Sequence, residues 1–183
     1  MDHSTDNVTV MGEFFLPILE IYKGRVTILD SIQEIIKDLD LSDPKKMHPM
    51  QKYNEVLDWI DDNLGRANAV ITGKTIGNPI FDYLTGGGMI KQDANPSEIM
   101  RALDSLARIV ISDPKDRGWE FLADEPTRLV MRKTQTFNAN IQCGVLEGLL
   151  SRCKSVRNPQ VRLIAEVKNG AEFDDYELSW FYL

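Results

Sequence analysis

The spacing of apolar residues changes once in this chain, at Gly118, and that change limits the folds it can adopt. Before it, apolar residues recur every three or four positions in five successive stretches. After it they alternate, in Trp119-Glu-Phe-Leu-Ala and in Thr127-Arg-Leu-Val-Met-Arg-Lys-Thr, as strands require. One helical run interrupts the alternation, Asn138-Ala-Asn-Ile-Gln-Cys-Gly-Val-Leu-Glu-Gly-Leu-Leu-Ser-Arg-Cys153. The resulting expectation is an α+β fold. A helical N-terminal half packs on a four-stranded antiparallel sheet, with one helix inserted between two hairpins.

The individual helices are expected over 12–22, 25–39, 49–64, 68–84 and 95–111, with Pro17 a boundary in the first. Gly65 is placed to end the third as a C-cap. Asn95, Pro96 and Glu98 form a capping-box start for the fifth. In the C-terminal half the first hairpin turns around Asp124-Glu-Pro126. The second joins strands 160–168 and 173–183 at Asn169-Gly170, a two-residue turn signal. No linker, repeat or low-complexity segment divides the 183 residues, which read as a single domain with 1–7 as a disordered tail.

Composition narrows the function classes. No apolar stretch approaches the ~18–20 residues of a membrane span. The polar, acidic start Met1-Asp-His-Ser-Thr-Asp-Asn reads as neither signal nor transit peptide. The only cysteines, Cys143 and Cys153, fall ten apart on one helix, too far apart to bridge. A reduced, cytoplasmic protein is the expectation. Net charge is −7, against nucleic-acid binding, but it is unevenly spread. Residues 1–90 carry fourteen acids and eight bases, residues 91–183 fourteen and thirteen. Arg128, Arg132, Lys133, Arg152, Lys154, Arg157 and Arg162 face a single acid in that stretch, Glu147. They form either a solvated rim or a surface for a protein partner, with Arg128, Arg132, Lys133 and Arg157 the candidate contacts.

Local chemistry signals are sparse. Gly73-Lys74-Thr75 lacks the upstream glycine and strand of a phosphate loop. Asp38-Leu-Asp-Leu-Ser-Asp43 lacks the central glycine and closing glutamate of a calcium loop. With two histidines, a hydrolytic triad would have to recruit His48, and no nucleophile elbow is present. No Cys/His cluster supports a metal site. Gly73 and Gly77, like Gly144 and Gly148, are four apart and clear one face of a helix. Such a bare face lets a second element approach closely; packing of the 138–153 helix on the sheet and a ligand pocket lined by bare backbone are two compatible readings of it.

Several phrases, in order, resemble the haem-nitric oxide/oxygen-binding (H-NOX) superfamily over residues 48–183. They are His48-Pro-Met-Gln-Lys-Tyr53, Thr72-Gly-Lys-Thr-Ile-Gly-Asn-Pro-Ile-Phe-Asp-Tyr-Leu84, Leu103-Asp-Ser-Leu-Ala-Arg-Ile-Val110 and Cys143-Gly-Val-Leu-Glu-Gly-Leu-Leu150. Domains of the 4-vinyl-reductase and trafficking-complex type share this fold more loosely. The resemblance puts the family's axial histidine at Ala107, and its propionate-holding Tyr-x-Ser-x-Arg at Met131, Lys133 and Gln135. A methyl group cannot ligate iron, which needs His, Cys, Met or Tyr. Cys143 or Met100 could do so in principle, but such residues on an apolar face are usually core.

The resemblance thus implies a haem-free sensory or regulatory domain with no cofactor. Its apolar pocket would be walled by Leu103, Leu106, Ala107, Met131, Ile141, Val145 and Leu149, and it would signal to a protein partner or act as a homodimer. The alternatives are a pure interaction module with its pocket filled, using the basic residues or the aromatic last strand, and an enzyme acting on a small hydrophobic or tetrapyrrole substrate.

Overall fold

A computed structural model describes residues 3–182, so Leu183 of the expected last strand lies outside the described residues, as do the first two of the expected tail. In residues 3–7, the Val8 N–H donates to the Thr5 carbonyl at 3.0 Å. β1 (Thr9–Met11) follows, then a 3-10 turn (Gly12–Phe14), α1 (Phe15–Tyr22), α2 (Val26–Ile35), β2 (Met47–Pro49), α3 (Met50–Leu64), α4 (Arg66–Gly86), α5 (Pro96–Val110) and β3 (Ile111–Ser112). The second half comprises β4 (Trp119–Glu125), β5 (Arg128–Lys133), α6 (Ala139–Ser151), β6 (Val156–Ala165) and β7 (Asp174–Tyr182).

The expected α+β architecture is present, and α6 is inserted between β5 and β6. The four-stranded sheet has the antiparallel order β4-β5-β7-β6. β7 is therefore interior, so the aromatic last strand presents no bare edge to a partner. Tyr176, Leu178 and Trp180 alternate into the core and are buried, while Glu177 and Ser179 face outward. A second sheet, β2-β1-β3, was not anticipated. Its strands are two or three residues long, too short for a period of two to show.

The second hairpin also differs from expectation. β6 begins at Val156, with a register shift between Arg157 and Gln160 around Asn158, whose φ is +49°. It ends at Ala165, and eight residues, not two, connect it to β7. Within that connection Val167–Asn169 form a 3-10 turn and Gly170 stands at φ +94°. The Asp174 carboxylate, accepting from the Val167 N–H at 2.8 Å, stabilises the longer loop.

Where the sequence cues were strongest the structure follows them. The α5 capping box closes in both directions, Glu98 N–H to Asn95 Oδ1 at 3.0 Å and Asn95 N–H to Glu98 Oε2 at 2.8 Å. The glycine faces do admit a close neighbour, but it is the other glycine-bearing helix and not the sheet: the pairs face one another and zip α4 directly onto α6. A Cβ at Gly148 would meet the Lys74 carbonyl oxygen at 2.6 Å. At Gly73, Gly77 and Gly144 it would lie closer still to the carbonyl oxygens of Ile141, Val145 and Val70. The helices touch backbone to backbone, which fixes the height of α6 above the sheet.

Candidate functional site

The face of α6 that carries Gln142 and Val145 closes one wall of a crevice between the helices and the start of the sheet. α5 supplies Leu103, Leu106, Ala107 and Val110, α4 supplies Ile76 and Ile80, α3 supplies Tyr53, and Phe14 comes from the N-terminal 3-10 turn. Trp119 and Phe137 complete the apolar lining. The crevice is held by polar ties at its rim. The Trp119 N–H donates to Asp104 Oδ1 at 2.8 Å, joining β4 to α5, and Gly118 and Thr134 hydrogen-bond to each other across the sheet entry.

Of the seven expected pocket residues, Leu103, Leu106, Ala107 and Val145 line this cavity. Met131, Ile141 and Leu149 do not; each is buried in the core instead. The crevice encloses about 40 Å³, because aromatic side chains from three distant elements fill it: Phe14, Tyr53 and Phe137. Tyr53 stacks edge-on against all of its aromatic neighbours, with centroid distances of 6.3 Å to Phe14, 5.2 Å to Phe15 and 5.8 Å to Phe137. On the far side of Phe14, Ile76, Ile80, Leu106 and Val110 lies an open apolar groove of about 230 Å³, which also takes in Pro17, Pro79 and Tyr83.

The donors here do not fit a haem. A cavity of 40 Å³ is far below the ~300–1,000 Å³ of ordinary cofactor and ligand pockets. Among the described residues no histidine, cysteine or methionine lines it, and burial pushes the Tyr53 phenol well above its ordinary pKa, which disfavours the phenolate that would ligate iron. His48 is buried in β2, edge-on to Phe15 at 6.0 Å, with Nε2 unpartnered, and His3 lines a different cleft. Met100 is fully buried core, and burial raises the Cys143 thiol to about 11, leaving it protonated. Among the described residues no group of three or more His, Cys, Asp or Glu is placed to hold a metal ion.

Three lining residues carry polar groups, of which Gln135 was expected only as a substituted propionate position and Gln142 and Tyr53 were not expected at the pocket. Gln135 and Gln142 are 7% and 8% exposed, and Gln135 Oε1 has no hydrogen-bond partner. The signal for Gln142 was its place in the apolar run Ile141–Leu150, where Glu147 is the other polar side chain. Tyr53 was read as part of an apolar stripe, so its hydroxyl attracted no attention.

The basic residues are placed by the interior position of β7. Arg132 makes a two-pronged pair with Asp175 at 2.8 and 2.9 Å. Arg128 bonds Glu177 at 2.7 Å and Glu125 at 3.0 Å, and Arg162 reaches Glu177 at 2.9 Å. Arg152 pairs with Asp82 on α4. Lys133 cannot face a partner, because it is buried against Asp174 at 2.8 Å and donates to the Phe137 carbonyl. Burial lowers the pKa of its ammonium, against the opposing pull of Asp174. Arg157 is exposed on β6. Beside Lys133 and Asp174 lies a polar cleft of about 410 Å³ that also takes in Asp58, Asp61, Glu166 and Lys168.

No protein-family model matches the sequence, and no curated protein is similar to it. Solved structures are similar along most of the chain. An H-NOX protein from S. oneidensis in the Fe(II)NO ligation state superposes with a TM-score of 0.69 at 10% identity, covering 93% of this chain and 99% of that one. An Fe(II) unliganded H-NOX protein from K. algicida gives 0.64 at 13% identity, covering 94% and 97%. Subunit 3 of a trafficking protein particle complex from Naegleria fowleri, covalently bound to palmitic acid, gives 0.51 at 11% identity, covering 93% and 96%. At these identities the likeness is one of fold: the chain has the H-NOX-like fold.

Proposed function

We infer that the chain is a haem-free sensory or regulatory domain, in which the crevice between α5 and α6 responds to a small apolar molecule and passes the response to a protein partner. The observation that carries this reading is the lining itself. The fold of iron-bearing H-NOX proteins is kept, but the crevice holds the Ala107 methyl group, hydrocarbon walls, neutral amides and the Tyr53 phenol, with no histidine, cysteine or methionine among its described lining residues. A second solved neighbour of this fold has palmitic acid attached, so the scaffold is compatible with apolar cargo as well as with iron. Native mass spectrometry of the purified chain tests the reading. A co-purifying small apolar molecule is the expected result, and an adduct of haem mass would contradict it.

One observation favours a second reading, a protein-interaction module with no small-molecule site: the inner cavity is as small as 40 Å³. On that reading Arg157, exposed on β6, sits in the contact surface, and Arg157→Glu abolishes partner or dimer association while the crevice binds nothing. Unchanged association in that variant would leave the residue a solvated rim charge.

A further inference from the structure

The crevice wall holds polar groups that the fold does not use. Gln135, between β5 and α6, lines the cavity with its Oε1 unpartnered. Gln142, in the first turn of α6, lines the same cavity, and no hydrogen bond joins its amide to another described residue. The Tyr53 hydroxyl likewise has no such partner. Leaving the buried Gln135 Oε1 unsatisfied costs roughly 1–3 kcal/mol, a penalty that leucine at that position would avoid. The 40 Å³ between these groups has room for a water or for the polar end of a bound molecule.

The remaining wall is hydrocarbon, and Phe14, Ile76, Ile80, Leu106 and Val110 separate the cavity from the 230 Å³ groove. Within that wall Phe14 is the one residue carried on a three-residue 3-10 turn rather than on a helix. Rotation of its ring would join cavity and groove. Among the described residues no cation lines the cavity, and Lys133 is paired with Asp174 beside the polar cleft. A charged head group would therefore be buried with only neutral partners, at prohibitive cost.

We propose that cavity and groove form one site for an uncharged amphiphile, its hydrogen-bonding head held by Gln135 and Gln142 and its alkyl body lying past Phe14 towards Pro17 and Pro79. This rests on the ligand-binding reading above and narrows it to a chemical class. The ¹⁵N-labelled full chain, titrated with 1-hexanol, hexane and hexanoate, provides the test. Hexanol is expected to shift the side-chain amide resonances of Gln135 and Gln142. It should bind about tenfold more tightly than hexane or hexanoate, the equivalent of one net hydrogen bond. Gln142→Leu is expected to remove that preference, and Phe14→Ala to speed binding of both hexanol and hexane.

Equal affinities for hexanol and hexane, or shifts confined to other residues, would overturn the assignment of the head while leaving a ligand site in place. Tightest binding of hexanoate would overturn the uncharged class. Failure of all three probes to bind either the wild type or Phe14→Ala would overturn the ligand-binding reading itself.

Discussion

Two faces of α6 are built on opposite principles. Towards α4 the contact is backbone on backbone, with four glycines leaving no room for a methyl group. Towards α5 the contact is made by side chains, and it keeps 40 Å³ of free space and two buried amides. The first face fixes where the helix sits. The second face is not needed for that placement, and its residues leave a small cavity. The lesson is that a helix can serve a site on one side when its position has already been settled on the other.

The largest expected effect lies outside both faces, at the buried ion pair between β5 and β7 beside the polar cleft. Asp174→Ala leaves the buried Lys133 ammonium without its carboxylate, and removal of one partner from such a pair costs about 3–5 kcal/mol. Urea denaturation measures it, and a loss under 1 kcal/mol would mean that water already reaches the amine. Next comes the seam. Gly144→Val is expected to lower stability by about 3 kcal/mol, because the backbone of α4 must move away. Gly24, with open space around it, is the control position: Gly24→Ala should stay within about 0.5 kcal/mol. Similar losses at both positions would show that the Gly144 loss does not come from the close contact with α4.

A smaller effect is expected where the crevice has spare volume. Ala107→Val adds methyl groups at the cavity edge and should change stability by less than about 1 kcal/mol, measured by the same denaturation. A seam-sized loss there would show the crevice to be as tightly filled as the glycine contact. The smallest concerns pH. Arg128 and Arg162 hold the Glu177 carboxyl below its ordinary 4.5, so the folded state binds its proton less readily than the unfolded chain. That contribution is present above pH 4.5 and is lost as the pH falls below it. The stability difference between wild type and Glu177→Gln should therefore shrink on acidification, and a difference constant from pH 7 to pH 3 would contradict the pairing.

The fold was legible where local chemistry and periodicity agreed. Asn95 and Glu98 announced the start of α5, and the alternation after Trp119 announced the sheet. The place of β7 in the sheet was not legible because strand order is a long-range property; its carboxylates Asp174, Asp175 and Glu177 could be matched to Lys133, Arg132 and Arg128 only once β5 and β7 were known to pair. The glycine spacing was visible, but not that the two pairs face each other across α4 and α6. The site was half legible for a similar reason. Leu103, Leu106, Ala107 and Val145 follow from helical faces, whereas the contents of the crevice depend on Phe14, Tyr53 and Phe137, brought together from distant parts of the chain.

Haem titration of the purified chain, followed by desalting and absorbance, tests most directly whether the crevice has abandoned iron chemistry. With Ala107 at its wall and 40 Å³ of space, no stoichiometric Soret band should survive desalting. A retained Soret band at one haem per chain, shifting when nitric oxide is added, would contradict the account.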